Sequence, residues 1–110
     1  MKVQEINKLQ KILEEFRELR PSMRLDLALT ILEIAASSGV QPQDLERRLN
    51  MSKASSSRHL QSLEKWEKAD VEGLDLVDVV TDPADRRNKI AKPNANMKEF
   101  MKRIDSIWNR

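Results

Sequence analysis

The sequence predicts a mainly α-helical domain that carries one small β-hairpin. Apolar residues recur with a helical period near both ends of the chain and through its middle. Only residues 73–92 depart from this pattern, because β-branched residues, short polar interruptions and turn formers replace the helical period there. The length of 110 residues suits a single domain over 1–110, or one protomer of an intertwined dimer.

The composition limits the classes of protein to consider. Charged residues make up 35% of the chain and aromatic residues only 4%, so the core must be aliphatic. The chain contains no cysteine, which excludes disulfides and thiolate metal sites and fits a reducing cytoplasm. The first residues show no apolar signal-peptide region, and no apolar run reaches the length of a membrane span. We therefore expect a cytoplasmic protein without membrane association.

Two helices are predicted at the start of the chain. Residues 3–19 carry an apolar stripe at helical spacing, and Pro21 ends that helix. Ser22 is expected to cap the next helix, residues 23–38. This second helix is apolar around nearly its whole circumference, so it should be the central buried helix, and Gly39 should end it.

A sharp corner between two helices is predicted at Asn50. A short helix over residues 41–49 precedes it, and asparagine tolerates the left-handed backbone conformation that such a corner requires. Ser52 is a suitable cap for the following helix, which is expected to cover residues 53–68. The first turns of this helix are small, polar and basic, so they have little to bury and much to offer phosphates and base edges.

A hairpin and a last helix complete the predicted order. Residues 73–82 and 89–92 are expected to form two strands joined by a polar, basic turn. Pro93 ends the second strand, and Asn94 or Asn96 caps a helix that covers the remaining residues. Because an isolated hairpin is only marginally stable in water, it must pack on the helices.

The first and last helices both carry clean apolar stripes. These stripes either pack on their own domain or meet across a two-fold axis; we favour the second arrangement, since little of the chain remains to cover a terminal stripe. Residues 1–20 and 94–110 are then dimerisation helices around a core of residues 23–92. The residues expected in this dimer interface are Ile6, Leu9, Leu13, Phe16, Phe100, Met101, Ile104, Ile107 and Trp108.

Positive charge is concentrated in two zones, although the formal net charge is only +2. Residues 46–68 contain six Lys or Arg against three acidic residues, and residues 86–103 contain seven against one. Between them, residues 70–82 contain five acidic residues and no basic one. If the two basic zones merge into one face, they form the electrostatic footprint of a nucleic-acid binder. A solvated surface of mixed charge is the alternative.

The order of helix, corner, exposed helix and hairpin is that of a winged helix-turn-helix. Arg58 is the long donor at the centre of the outward face of the helix after the corner, where it can fork to a guanine edge or bind a phosphate. Lysines on the helix and hairpin suit phosphates, which add affinity and salt dependence without reading sequence. The residues expected to contact DNA are Ser52, Lys53, Ser55, Ser56, Arg58, Gln61, Ser62, Arg86, Arg87 and Lys89.

Two stretches resemble the MarR family of bacterial transcriptional regulators. The segment MSKASSSRHLQSLEK at 51–65 is similar to the recognition helix of that family. The segment GLDLVDVVTDPADRRNKI at 73–90 resembles its wing, with a DPxDRR signature over residues 82–87. The resemblance covers about residues 41–92, and its wing half is the more specific.

The resemblance implies a homodimeric, sequence-specific binder of double-stranded DNA, usually a repressor on a palindromic site. The recognition helix over 53–68 would enter the major groove, and the wing over 82–89 would reach the neighbouring minor groove. One of Arg86 and Arg87 would enter that minor groove, and the other would pair with an aspartate of the wing turn, either Asp82 or Asp85. The sequence leaves open which arginine does which.

No constellation for catalysis accompanies these signals. His59 is the only histidine, and neither a nucleophile with an orienting acid nor a set of metal ligands surrounds it in the sequence. We therefore expect no enzymatic activity, metal or cofactor, and a small-molecule effector is not indicated. The alternative function is a winged-helix adaptor or inhibitor that offers its basic face to an acidic protein. Steeply salt-dependent binding to duplex DNA distinguishes the DNA binder from this adaptor.

Overall fold

Five helices and two small antiparallel sheets form the structure, a computed structural model that describes residues 1–110. The helices are α1 (Val3–Leu19), α2 (Leu25–Ala35), α3 (Pro42–Leu49), α4 (Lys53–Leu63) and α5 (Ala95–Trp108). The strands are β1 (Trp66–Lys68), β2 (Val71–Glu72), β3 (Val77–Thr81) and β4 (Lys89–Pro93), paired as β1–β2 and β3–β4. The predicted mainly α-helical class with a small β-hairpin is confirmed, and β1–β2 is a second hairpin that was not predicted. None of the helices combines the length and the apolar composition that a bilayer crossing requires.

The core is aliphatic, as predicted, and α2 lies at its centre. Ile31 and Ile34 of α2 are completely shielded from solvent. The prediction that α2 is the central buried helix holds for one face of it, because a second apolar stripe along this helix stays exposed. That stripe consists of Leu25, Leu29 and Leu32, at the i, i+4, i+7 spacing of one helical face.

The ends of α2 also differ from the prediction. Arg24 occupies the N-cap position, and Ser22 therefore lies outside the helix instead of capping it. The helix ends at Ala35, four residues before Gly39. Gly39 has a φ of +156°, and a Cβ there would lie 2.7 Å from Cγ2 of Ile90. This glycine thus allows the chain to approach the hairpin and does not serve as the helix C-cap.

The predicted corner between α3 and α4 is confirmed. Asn50 has φ 52° and ψ 49°, which is the left-handed conformation. Ser52 caps α4, since its side chain accepts a hydrogen bond from the backbone N–H of Ser55 at 3.1 Å. At the start of α3, the N–H of Gln41 donates to Oδ2 of Asp44 at 3.2 Å. Local side-chain caps therefore fix where each of the two helices begins.

The helix after the corner is shorter than predicted: α4 ends at Leu63, and the small β1–β2 hairpin replaces its expected last turn. Backbone N–H groups of residues 74–76 donate to the carbonyl oxygens of residues 62–64 at 2.8–3.2 Å. They satisfy the acceptors that the end of a helix leaves free. A Cβ at Gly73 would lie 1.9 Å from the carbonyl oxygen of Glu64, so glycine is required for this close approach.

The larger hairpin, β3–β4, is the predicted wing. Its register runs from Val77 opposite Pro93 to the turn that follows Thr81. Strand β3 begins four residues later than predicted, because the preceding segment is hydrogen-bonded to the end of α4. Val40 and Ala91 exchange two backbone hydrogen bonds of 2.9 and 2.8 Å, which tie the hairpin to the segment before α3.

Helices α1 and α5 pack against each other in antiparallel orientation. The rings of Phe16 and Phe100 meet edge to face, with centroids 5.0 Å apart. The Asn94 side chain caps α5 by accepting from the N–H of Met97 at 3.1 Å, so the first of the two candidate caps is the one used. Helix α5 ends at Trp108, two residues earlier than predicted.

This packing corrects part of the predicted dimer interface. Because α1 and α5 cover each other, four of its residues are buried inside a single chain: Phe16, Phe100, Ile104 and Ile107. The terminal stripes therefore pack on their own domain to this extent, contrary to the arrangement that we favoured. Four others remain exposed, namely Ile6, Leu9, Leu13 and Trp108, and Met101 is half-buried.

Candidate nucleic-acid interface

The outward face of α4 presents polar and basic side chains to solvent. Those exposed are Lys53, Ser57, Arg58 and Gln61. Nη2 of Arg58 donates to Oγ of Ser55 at 3.3 Å, and Ser55 Oγ accepts in turn from Ser52 Oγ at 3.0 Å. Arg58 forms no ion pair. These hydrogen bonds hold its guanidinium along the first turns of α4 while leaving most of its donors free for a ligand.

Two predicted contact residues of α4 point inward instead. Ser56 is 1% exposed, and its hydroxyl donates to the carbonyl oxygen of Pro42 at 3.3 Å, which joins α4 to α3. Ser62 is 7% exposed and donates to Oε1 of Glu67 at 2.6 Å. Because α4 ends at Leu63, the chain folds back and carries Glu67 over Ser62. Ser62, which was expected among the DNA-contact residues, is therefore buried, although it lines a depression beside α4.

The turn of the wing separates the roles of its two arginines. Arg87 forms a two-pronged ion pair with Asp85, with Nε–Oδ1 and Nη2–Oδ2 distances of 3.2 Å each. Its side-chain and backbone hydrogen bonds lower the pKa of Asp85 below the ordinary value. Asp82 accepts from the N–H of Ala84 at 2.9 Å and so shapes the start of the turn. Arg86 is exposed and makes no hydrogen bond or ion pair, so its guanidinium is free.

Helix α4 and the wing border one groove, which we call the wing groove. From α4 it is lined by Lys53, Ser57 and Gln61, and from the wing by Arg87, Asn88 and Lys89. Two acidic residues, Glu46 and Glu64, also line it. Lys53 of the helix and two cations of the hairpin, Arg87 and Lys89, therefore lie around a single concave surface.

A second depression lies on the opposite flank of α4, and we call it the α2 trough. It is bounded by the segment between α1 and α2, by α4 and by β1. Its charged lining residues are Arg20, Arg24, Asp26, Arg58, Glu67 and Lys68, with His59 beside them. Burial lowers the pKa of His59 below its ordinary value of 6.5; Asp26 opposes this shift, while Arg58 and Arg24 add to it.

Four other cations of the two basic zones are already paired with acidic residues. Arg47 and Arg48 of α3 form ion pairs with Asp44 at 3.0 Å and with Glu33 at 3.4 Å. Two cations of α5 form ion pairs in the same way, Lys102 with Glu99 and Arg103 with Glu15. These four side chains already have acidic partners, and the candidate interface is formed by residues around α4 and the wing.

Comparison with known proteins identifies the fold. No protein-family model and no curated protein matches the sequence. The structure of S. aureus MepR in complex with DNA matches with a TM-score of 0.70 at 19% identity, over 94% of this chain and 74% of MepR. A MarR transcriptional regulator from Methanosarcina mazei Go1 matches with a TM-score of 0.66 at 16% identity, over 89% of this chain and 63% of that one. The chain has the MarR-like winged-helix fold.

The structural match covers most of this chain but only part of the proteins that it resembles. RV1404 from Mycobacterium tuberculosis matches with a TM-score of 0.68 at 13% identity, over 86% of this chain. This chain spans only 58% of the length of RV1404.

Some residues that line the depressions beside α4 cannot be predicted from the local sequence pattern. In this MarR-like structure Arg20, Arg24 and Lys68 line the α2 trough beside α4, and none of them was among the expected contact residues. Arg20 and Arg24 flank the turn at Pro21, far from α4 in sequence, and Lys68 lies beyond the true end of α4. The arginines near Pro21 gave only a weak indication of a role beside α4, because the position of this turn relative to α4 depends on the tertiary fold.

Proposed function

We propose that this protein is a sequence-specific transcription regulator that binds double-stranded DNA. The observation that carries the proposal is the wing groove, where Lys53 of α4 and the wing cations Arg87 and Lys89 line one concave surface. An exposed helix beside a basic hairpin can enter the major groove and contact the adjoining backbone at the same time. The presence of DNA in the complex of MepR, a protein of the same fold, supports the proposal.

The exposed face of α4 is proposed to read the major groove. Arg58 is the base-reading candidate, since its fork matches the two acceptors of a guanine edge. Ser55 and Gln61 stand near it on the same face and supply adaptable hydrogen bonds to bases or phosphates. Ser52 and Lys53 at the start of α4 suit phosphates, because a helix N-terminus favours an anion. Ser56 and Ser62 act through packing alone.

The wing is proposed to reach the neighbouring minor groove through Arg86. Its guanidinium is unpaired, and a narrow minor groove concentrates negative potential that attracts arginine. Arg87 braces the turn through Asp85 and adds positive charge to the wing groove. Lys89 is proposed to bind a phosphate between the two grooves.

We further propose that the protein acts as a homodimer on a palindromic site and represses transcription by occupying it. The apolar residues left exposed on α1 and at the end of α5 support an interface between copies, and Leu9 and Trp108 border the same depression. A two-fold axis would present two copies of α4 to the two half-sites of a palindrome. Leu9→Glu should therefore reduce the solution mass to that of a monomer, whereas Lys11→Glu on α1 should not. An unchanged mass for Leu9→Glu would remove Leu9 from the interface.

Selection of bound sequences from random duplex DNA tests the function directly. We expect an enriched sequence with two-fold symmetry, and an affinity that falls steeply as salt is raised. Recovery of a sequence without symmetry would contradict the dimer on a palindrome but not DNA binding. If the protein shows no salt-sensitive binding to any duplex, the transcription regulator is excluded and the protein-binding adaptor takes its place.

A further inference from the structure

We propose that the α2 trough binds a phosphate of the DNA strand on the opposite side of α4 from the wing. This inference rests on the proposed function and assigns Arg20, Arg24 and Lys68 to the DNA interface. The wing would then contact the sugar-phosphate backbone on one side of the major groove, and the trough would contact the backbone on the other side.

The charges that line the trough favour an anion. Its four Arg and Lys side chains come from three separate parts of the chain, the segment before α2, α4 and β1, and none of them forms an ion pair. Two acidic residues are also present. One of these, Glu67, accepts the short hydrogen bond from Ser62, which leaves Asp26 as the only acid in the trough without a hydrogen-bond donor. The trough therefore combines a positive excess with cations that have no acidic partner in the protein.

The segment that carries two of these cations is well fixed. The N–H of Arg20 donates to the carbonyl oxygen of Phe16 at 3.3 Å, which closes the end of α1. The carbonyl oxygen of Arg20 accepts from the N–H of Met23 at 3.0 Å across the turn at Pro21. Arg24 follows as the N-cap residue of α2. Both arginines thus project from a short, hydrogen-bonded connection beside α4, and binding would order little additional backbone.

The geometry of the major groove explains why both flanks of α4 should carry phosphate-binding groups. The groove is about 12 Å wide, and a helix with its side chains is about 10–12 Å across, so a helix lying in it has a sugar-phosphate backbone on each side. Lys53 and Ser57 line the wing groove on one flank. Arg58 lines the trough on the other flank, and Gln61 lines both depressions. The two depressions therefore match the two walls of one groove.

The first test measures how duplex affinity depends on salt. In the full chain, Arg24→Gln, Arg20→Gln and Lys68→Gln each remove one cation from the trough. Because one neutralised phosphate contributes about 0.9 to the slope of log K against log salt, we expect the loss of affinity between 50 and 200 mM salt to shrink in each variant, by at most about 3.5-fold where the contact with this phosphate is lost completely. The reduction should be equal on the selected duplex and on a scrambled duplex, since phosphate contacts carry no sequence information.

Matched variants separate the charge of Arg24 from a structural role. Arg24→Lys keeps the charge and should restore the salt slope, whereas Lys11→Gln, on an exposed part of α1, should leave it unchanged. If none of the three trough variants alters the slope while the wild-type protein binds duplex with a steep salt dependence, the trough assignment is wrong and the proposed function stands. If the wild-type protein itself shows no salt-dependent binding, the proposed function fails.

Ethylation of individual phosphates in the selected duplex locates the contact. We expect modification on both walls of the major groove to interfere with binding of the wild-type protein. For Arg24→Gln, one interfering position on the wall away from the wing should disappear. An identical set of interfering phosphates for the wild-type and Arg24→Gln proteins would overturn the proposal.

Discussion

Helix α4 and the turn of the wing are held in place in different ways. Leu60 and Leu63 anchor α4 in the core, and the hydroxyl of buried Ser56 ties it to α3. The wing turn has no buried residue between 82 and 88, and its main side-chain constraint is the exposed pair of Arg87 with Asp85. Water screens such a pair, so the turn is held far less firmly than the helix.

This difference suits the two proposed roles. Reading a base requires donors held in a fixed position, and α4 supplies them on a helix that is packed along its inner face. Contact with a phosphate or a narrow minor groove tolerates adjustment, because the attraction is electrostatic and less directional. The firmly packed element is therefore the candidate for sequence reading, and the loosely held element is the candidate for added affinity.

The largest expected effect is on the anchoring of α4. Leu63→Ala removes a side chain that is fully buried, so we expect it to lower the free energy of unfolding by about 2–5 kcal/mol. Val80→Ala truncates a wing residue that is 38% exposed, and it should cost no more than about 0.5 kcal/mol. Urea denaturation of both variants measures the difference. Equal losses of stability would show that the wing is anchored as firmly as the helix.

The next largest effect distinguishes α4 residues that recognise bases from those that only add affinity for DNA. Arg58→Ala should weaken binding to the selected duplex by about 1–3 kcal/mol and should weaken binding to a scrambled duplex less, because it removes a base contact. Lys53→Ala is the matched control, and it should weaken binding to both duplexes alike. Fluorescence anisotropy titrations at a fixed salt concentration provide the comparison. A uniform loss for Arg58→Ala would place this arginine on a phosphate.

Local sequence determines some of these features, and long-range contacts determine the others. The corner at Asn50 and the cap at Ser52 follow from the conformational preference of one residue and one hydrogen bond, and both predictions are confirmed. The end of α4 was mispredicted because the N–H groups of residues 74–76 donate to the carbonyl oxygens of residues 62–64, a contact between segments about ten residues apart. The burial of Ser62 follows from the same event.

The terminal helices illustrate the same limit at longer range. Their apolar stripes were recognisable from spacing, but spacing does not say which surface covers a stripe. Phe16 and Phe100 meet within one chain although they are far apart in sequence. The α2 trough is similar, because Arg20 and Lys68 join the interface only through the tertiary fold.

A smaller effect is expected at the wing, where it tests the division between the two arginines. Arg86→Ala removes the free guanidinium and should reduce the salt slope of duplex binding by about 0.9. Arg87→Ala and Asp85→Ala each break the brace of the turn, so they should share a weaker loss of affinity that results from a less ordered wing. The three variants are compared on the selected duplex at several salt concentrations. A larger loss for Arg87→Ala than for Arg86→Ala would reverse the assignment.

The smallest expected effect is a dependence on pH that has opposite signs for folding and for DNA binding. Because the pKa of His59 is lowered in the folded protein, the unfolded chain binds more protons just below pH 6.5, and the free energy of unfolding should decline as the pH falls through that value. A phosphate in the α2 trough would favour the protonated imidazole, so duplex affinity should rise over the same interval.

The charged groups around His59 determine the size of this pH dependence. Arg24 and Arg58 disfavour its protonation and Asp26 favours it, while the other charged side chains of the trough line the same space. His59→Gln, at the same position on α4, should abolish both trends in denaturation and in anisotropy measured between pH 5.5 and 7.5. If duplex affinity still rises as the pH falls in His59→Gln, another group takes up the proton. A rise that persists in Arg24→Gln but disappears in His59→Gln would show that the histidine senses the phosphate directly.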